Sequence, residues 1–537
     1  MPRQRLQHLG KYGLISDLIP TQAPPEAWTS IVNIMCEDGA IRSVKGERKL
    51  FNLLIRPLYH GTYQGPDGRW WLIISDGAQC YAYDVRNKTG SKISGATDWS
   101  GGFVTVANLN GVLVVNSASD GPFYWDYSAA PPDDVLKPLP GWDANWRCRE
   151  MIAFRYYLVA LGMTEDNEEY PHKVRWSNSA QEGSLPTLWI AALDNDAGDD
   201  LLGETQGKIV GGRLVRDYLW IVKEDAIYQM AWIGGEAIMR VDRLQGGVGT
   251  RLQRGFAEMN GGLVVFTTSD LLWFDGQQSM SLVDNTVRKT LYGYVSEEYF
   301  DLSAVFVHPQ TTQLFVAVAG TENGQLTASL VYHWIDRTWG AKTLNNSYGY
   351  DSALISLGTA TETWDDLGPA APLIAYPRMT QGKTWDEQRD GSWNKGVYQP
   401  SVPDVILYES DEVTDPNNPV WWVSLLAIDN TNSAGESVFC QAQRVGIPIE
   451  GADGLAMVTE VWPEMTGDIP VTFTFGGQMT VDGDLLWDAP IEFMPGRDFS
   501  VTPRVTGRWL AVRVESKDRG KWRLSGLTLD WQRAGER

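Results

Sequence analysis

The feature that most constrains this chain is a recurring pair of short apolar runs joined by a small polar turn. Residues 69–74 lead through Ser75-Asp76-Gly77 into 79–83, and residues 111–115 lead through Ser119-Asp120-Gly121 into 123–125. The pattern returns at 218–222 with 226–230, at 262–266 with 271–274, and at 313–318 with 329–334. Short runs rich in β-branched and aromatic side chains, bounded by Asp, Gly and Ser, read as β-hairpins. The side chains suit a pleated surface and the turn residues tolerate the tight backbone. The pairs recur roughly every 40–50 residues between about 60 and 340, the length of one four-stranded propeller blade. Helical periodicity is confined to 286–297. The expected fold is all-β: a β-propeller of six to eight blades with a C-terminal β-sandwich-like domain. A set of β-sandwiches is the competing arrangement.

The expected organisation has four parts. Residues 1–50 form an extended N-terminal arm that packs on the C-terminal domain, and 51–344 hold the blades. Residues 345–420, rich in Gly, Pro and Asp with isolated Trp364, Trp385 and Trp393, read as a loop-rich insertion or an excursion from the propeller. Residues 421–537 return to strands at 471–475, 509–515, 521–524 and 527–531. In the second of these Leu510, Val512 and Val514 fall on one face, Arg513 and Glu515 on the other.

Composition enters as a filter on function. The 537 residues include 54 Gly and 24 Trp against 15 Phe, and 43% hydrophobic residues supply enough apolar surface to exclude a disordered chain. The formal charge of −22 argues against a protein whose task is to grip phosphates, which needs clustered Lys and Arg. Residues 1–50 carry seven basic and five acidic side chains and residues 496–537 carry ten and five, which leaves −29 on 51–495. An acidic body repels nucleic acid and suits passage better than capture. The +5 end offers a basic docking patch for an acidic partner, with Arg504, Arg508, Arg513 and Arg523 as its candidates.

The search for chemistry yields no catalytic residue and no cofactor. Cys36, Cys80, Cys148 and Cys440 are widely spaced and read as buried free thiols. His8, His60, His172, His308 and His333 make no zinc-hydrolase spacing, and Gly246-Gly247-Val248-Gly249 lacks the Lys-Ser/Thr of a phosphate loop. The densest acidic cluster supplies Asp194, Asp196 and Asp199 as cation candidates, but its fifth, sixth and twelfth places (Gly198, Asp199, Thr205) depart from a calcium loop, and a solvated loop is the simpler reading. The stretch 117–125 sets Asp120 beside Gly121, out of register with the sialidase turn. No signal-type apolar segment or membrane span is visible, so the expected product is soluble and made in a reducing cytosol.

Three stretches carry a resemblance. The first holds Gly13 to Asp17, Pro24-Pro25, Trp28, Asn33, Asp38-Gly39-Ala40 and Arg42; the second holds Val174-Arg175-Trp176-Ser177-Asn178, Trp189 and Ala197-Gly198-Asp199. The third holds Gly207, Gly211-Gly212, Tyr228 and Gly234-Gly235, continued by Tyr332-His333-Trp334, Trp339 and the 508–513 strand. In their order and spacing they resemble the tail nozzle proteins of short-tailed bacteriophages, also called tail tubular protein B or packaged-DNA stabilisation proteins. That resemblance implies a virion protein, made in the host cytoplasm and assembled as a homohexameric ring at the distal end of the tail. It implies an adaptor protein above, tail fibres or spikes at the side, and double-stranded DNA passing without sequence-specific binding. Such a ring retains the packaged genome and gates its ejection, with 100–110, 190–205 and 345–420 as candidate gate loops. Read from the residues alone, Pro24-Pro25 and Trp28 anchor the arm, Arg175 pairs with an acid, and Gly211-Gly212 and Gly234-Gly235 permit tight turns. The alternatives are a receptor- or glycan-binding propeller of adhesin or tail-spike type and, behind it, a propeller glycoside hydrolase.

Overall fold

The computed structural model describes residues 3–85, 87–127, 135–235, 237–308, 311–320, 325–353, 404–412, 415, 418–426, 431–432, 435–449, 454–481 and 483–534. The chain divides into two compact units, one of residues 51–202 with 351–406, the other of 1–50, 203–350 and 407–537.

The first unit holds three antiparallel four-stranded meanders. They are Tyr59–Gln64, Trp70–Ser75, Cys80–Asp84 and Thr89–Lys92; Val104–Leu109, Val112–Ser117, Gly121–Trp125 and Lys137–Pro138; and Trp146–Phe154, Tyr157–Glu165, Glu168–Trp176 and Gly198–Leu201. The first strand of the middle meander packs against the first strands of its two neighbours, so the meanders stack face to face as propeller blades do. Gly61 shows how close that stacking is: a Cβ there would lie 2.7 Å from Cβ of Val106.

The second unit holds three more blades. These are Ile209–Val215, Tyr218–Lys223, Ala226–Trp232 and Met239–Gly246; Phe256–Met259, Gly262–Phe266, Leu271–Phe274 and Ser279–Ser281; and Ala304–His308, Gln313–Ala319, Leu326–His333 and the long Thr338–Ala353. Second strands are covered on both faces, Gly262–Phe266 along its whole length, which is why the sequence shows continuous apolar runs and not alternation. All five expected hairpins form as antiparallel pairs. The fold is thus all-β and of β-propeller class, joined to a C-terminal β-sandwich. A short helix, Arg288–Tyr294, sits in the one stretch with helical periodicity. Asp17 of the arm accepts from the backbone N–H groups of Arg288 and Lys289 at 3.0 and 2.8 Å, satisfying free donors of its first turn.

The described residues of the 345–420 stretch include strands. The strand Thr338–Ala353 runs into it, Asp404–Ser410 lies inside it, and residues 354–403 fall outside the described residues. Asp404–Ser410 pairs with Thr338–Ala353 and with Trp421–Leu426, which pairs in turn with Glu47–Leu53. A short strand among Gly, Pro and Asp neighbours gives too little periodicity to register. The 100–110 stretch is likewise mostly the strand Val104–Leu109 and not a loop.

The C-terminal sandwich is woven from both ends of the chain. One layer pairs Arg3–Gln7 and Ala456–Gly467 on either side of Trp522–Arg533, with the hairpin Ile34–Glu37 and Ala40–Ser43 beside them. The other runs Ser30–Val32, Cys440–Pro448, Trp509–Ser516, Val471–Gln478. Val461, Leu529 and Trp531 from the first layer share one core with Val512, Val514, Phe473 and Phe475 from the second. The expected strands 521–524 and 527–531 are a single 12-residue strand, because the shift that breaks the pattern is a bulge within it: Gly526 pairs with Glu464 and Leu524 with Met465, which leaves Ser525 as the extra residue.

Arg444 fastens the arm. It is 1% exposed, and its guanidinium donates to the carbonyls of Pro20 at 2.8 Å, Ala23 at 2.9 Å, Pro24 at 3.2 Å and Val445. Burial lowers its pKa to about 10, still well above neutrality, so it stays charged. Truncating it to Ala removes the donor of the Pro20 and Ala23 carbonyls, so Arg444→Ala should cost about 3 kcal/mol. Lys cannot fork across them and should restore little. Denaturant unfolding of both variants, with hydrogen exchange of 13–29, checks this; full recovery by Arg444→Lys would show that charge alone matters.

Candidate functional site

The motif residues of the arm build corners. Trp28, 1% exposed, donates its indole N–H to the carbonyl of Leu9 at 2.6 Å, and Trp339, equally buried, donates to that of Leu282 at 3.0 Å. Asp38 and Gly39 both have positive φ, 50° and 68°, the signature of a two-residue type I′ hairpin turn. The backbone N–H of Asp38 donates to Asp336 at 2.8 Å, which ties that turn to the sixth blade.

In the third blade Arg175 sits at the centre of a charged ladder. It is 6% exposed, lies 4.0 Å over the Trp146 ring, and pairs with Glu165 at 3.0 Å and with its cross-strand neighbour Asp199 at 3.9 Å. Lys173 joins the same two carboxylates at 2.9 and 3.4 Å. Trp176 donates to the carbonyl of Asp196 at 3.0 Å, and a Cβ on Gly198 would collide with its ring at 2.4 Å. Ser177, fully buried, accepts from the N–H of Leu158 at 3.0 Å and donates to the Asn178 carbonyl at 2.8 Å; Asn178 accepts from the N–H groups of Thr187 and Leu188.

The cation candidates part company here. Asp199 is engaged by Lys173 and Arg175, Asp196 accepts from Ser179 at 2.9 Å and Tyr157 at 3.3 Å, and Asp194 is exposed in the loop. Among the described residues no group of three or more His, Cys, Asp or Glu is placed to hold a metal ion. Removing Glu165 leaves Arg175 buried beside distant charge only. Glu165→Ala should therefore cost about 3–5 kcal/mol while Arg175→Met, which removes the charge and keeps the packing on Trp146, costs less than about 2 kcal/mol. Denaturant midpoints of the two variants test the ordering, and the reverse order would refute it.

Gly211 and Gly212 are not in a turn. They lie inside the strand Ile209–Val215, with φ outside the left-handed region, beside a bulge between Ile209 and Gly211. Gly234 and Gly235 do make the turn after Ala226–Trp232, with φ of 67° and 72°. Tyr228, 2% exposed, sets its hydroxyl 3.4 Å from Oγ1 of Thr205 and its ring 5.4 Å from Nζ of Lys223.

Of the four arginines, Arg523 stands apart from the other three. Arg513 bonds Gln443 at 2.9 Å and lies 4.4 Å over the Trp487 ring on the outer face of one layer, while Arg523 donates to the Asp38 carbonyl at 3.1 Å on the other layer. Alternation turned both away from the shared core, hence away from each other. Arg504 and Arg508 stand near the short strand Leu486–Trp487, the first through its backbone N–H to the Asp488 carboxylate at 3.2 Å and the second through its backbone N–H to the Gln478 carbonyl at 3.0 Å.

Sequence reasoning missed a buried ionic cluster. Glu47, Lys342 and Glu409 are 3%, 5% and 0% exposed; Lys342 pairs with Glu47 at 2.9 Å, and Glu409 accepts from the Trp422 indole at 2.9 Å and from the Ser424 hydroxyl. Burial first, then the negative charge of Glu47, pushes the Glu409 carboxyl well above the usual range. The three come from strands far apart in sequence, so only their tertiary meeting gives them meaning.

His308, 6% exposed, is held neutral near them: burial first, then Lys45, lowers its pKa to about 4. A depressed folded pKa gives stability that is present above about 6.5 and lost as pH falls toward 4. His308→Gln should remove an acid-side loss on the order of 2–3 kcal/mol across that window. Thermal midpoints from pH 7 to 4 measure it, and an unchanged slope would refute it. All four cysteines are buried free thiols, and burial pushes those of Cys36, Cys80 and Cys148 upward, away from reactivity.

No family model and no curated protein matches the chain. Solved structures that align with parts of it include the dihydro-heme d1 dehydrogenase NirN, at 11% identity and a TM-score of 0.33 over 51% of this chain and 53% of that one. The chain thus spans about half that dehydrogenase's length. Virginiamycin B lyase of Staphylococcus aureus aligns at 10% identity and 0.37 over 58% and 92%, and the Pan2 WD40 domain of Neurospora crassa at 9% and 0.36 over 72% and 96%. Likeness at this level carries no activity across; the blade assignment rests on strand order and packing.

Proposed function

We propose that this propeller protein is a structural subunit of a short-tailed phage virion, the tail nozzle, acting without catalysis. In this reading a hexameric ring forms the distal end of the DNA exit channel. An adaptor protein lies above it and fibres or spikes lie beside it. The ring retains the packaged genome and opens for ejection. The observation that carries the reading is the use to which the motif residues are put. Trp28, Asp38-Gly39, Arg175 to Asn178 and Trp339 make turns, caps and packed indoles, which is scaffold work. The acid body supports it further: −29 on residues 51–495 lets DNA slide without sticking. No helix among the described residues is long and apolar enough to cross a membrane.

A second reading, a glycan-binding propeller, draws on half-buried Trp142 and Trp146, packed edge to face at 5.7 Å beside the Arg175 ladder. Sizing and negative-stain imaging of the purified chain decide between them. Rings with a central hole that retain no duplex DNA at physiological salt are expected. A monomer at every concentration, with a defined sugar on a glycan array, would overturn the nozzle in favour of the second reading.

A further inference from the structure

Lys342, Glu47 and Glu409 bring an amine, an acyl group and an acid together in one buried place. The strands that carry them pair in succession: Glu47–Leu53 with Trp421–Leu426, that with Asp404–Ser410, and that with Thr338–Ala353. Nζ of Lys342 lies 2.9 Å from Oε1 of Glu47, so the first strand of the run meets the last through these two side chains. Glu409, from a strand between them, is hydrogen-bonded to the Glu47 carboxyl. It is fixed in turn by the Trp422 indole, which donates at 2.9 Å, and by the Ser424 hydroxyl, both to its Oε2. Tyr350, buried near both carboxyls, stacks its ring on that of Phe306 at 3.7 Å and makes the wall of the place apolar.

We propose that Lys342 and Glu47 condense to an amide, an internal cross-link between the strands Glu47–Leu53 and Thr338–Ala353, with Glu409 as the acid that assists. One proton crosses the ion pair from the ammonium to Glu47. The freed nitrogen lone pair then attacks Cδ of Glu47, and the bond from that carbon to its hydroxyl oxygen breaks. Glu409 donates a proton to the departing oxygen and recovers one from the nitrogen, so it ends as it began. An ammonium and a carboxylate become one neutral amide and one water. Atoms and charge balance, and no cofactor or oxidant enters.

In water this condensation is unfavourable, because both ions are well solvated. Burial changes that balance: the desolvated ions are costly to keep, the amide carries no charge, and the released water has bulk solvent to enter. Folding also holds the partners side by side, which removes the entropic cost of an encounter. An acid in this role must keep its proton near neutral pH, and burial of Glu409, then the charge of Glu47, favours that form. Lys173 and Glu165 lie equally close at 2.9 Å, but both are partly exposed and Arg175 competes for the same carboxylate. That pair should stay an ion pair.

The test is the mass of the full-length protein after denaturation, which breaks an ion pair and leaves an amide intact. The native chain should weigh one water less than its sequence. Trypsin should release residues 46–48 joined to residues 338–378, uncut after Lys342. Lys342→Met and Glu409→Gln should each show their full sequence mass, with circular dichroism reporting whether they fold; the native mass decides even where a variant does not. The peptide that ends at Lys173 should be recovered unmodified. A native chain of full sequence mass with a free 46–48 peptide would overturn the cross-link. So would a water lost elsewhere, such as in a succinimide at Asp38-Gly39, or a cross-link that forms equally in Glu409→Gln.

Discussion

The second unit depends on one long-range act, the pairing of the first residues of the chain with the last. Arg3 and Asp530 are 527 positions apart, yet they face each other in register and share an ion pair at 3.0 Å. Loop-closure entropy grows only with the logarithm of length, so bringing such ends together costs about 5–6 kcal/mol and not hundreds. Burying Leu6, Leu9 and Trp28 in the sandwich core offsets it, since each large apolar side chain contributes on the order of 1.5–3 kcal/mol. Exposed Arg3 adds little to this, because a surface ion pair is worth at most about 1 kcal/mol. Register comes from alternation: Gln4 and Leu6 point inward, and a slip by one residue would turn Leu6 to water.

From that closure the arm can do further work. Once Arg3–Gln7 is docked, Trp28 can reach the Leu9 carbonyl, Asp17 can cap the helix Arg288–Tyr294, and Asp38-Gly39 can turn back toward Asp336. Arg444 closes the loop between them by gathering carbonyls that no secondary structure satisfies. One stretch of fifty residues thus serves two layers of the sandwich, a helix terminus and a blade. A residue in such a stretch is constrained by several partners at once, which explains why short signatures with no catalytic content can still be tightly patterned.

What the sequence disclosed follows the range of the interactions. The blades were legible because a hairpin is local: 262–266 and 271–274 carry their own turn and their own apolar runs. The helix was legible for the same reason. Local rules failed where the partner was distant. Gly211-Gly212 looked like a turn, but tertiary packing drew both into a strand with a bulge. Arg513 and Arg523 looked like one basic patch because they are ten residues apart in sequence, while a change of layer sets them on separate sheets. Asp194, Asp196 and Asp199 looked like a cluster because they are adjacent, whereas Ser179, Tyr157, Lys173 and Arg175 had already claimed two of them.

The buried charges show the same contrast in energetic form. Arg175 answers its desolvation with two carboxylates, a lysine beside them and an indole face, so every charge in that ladder has an opposite. The cluster of Glu47, Lys342 and Glu409 sets two buried carboxyl groups beside a lysine, and burial together with the charge of Glu47 raises the Glu409 carboxyl above its usual range. Low-dielectric surroundings make a second carboxylate costly to keep, and a bound proton is the simplest remedy. A hydrophobic residue at Glu409 would pack there without any such requirement.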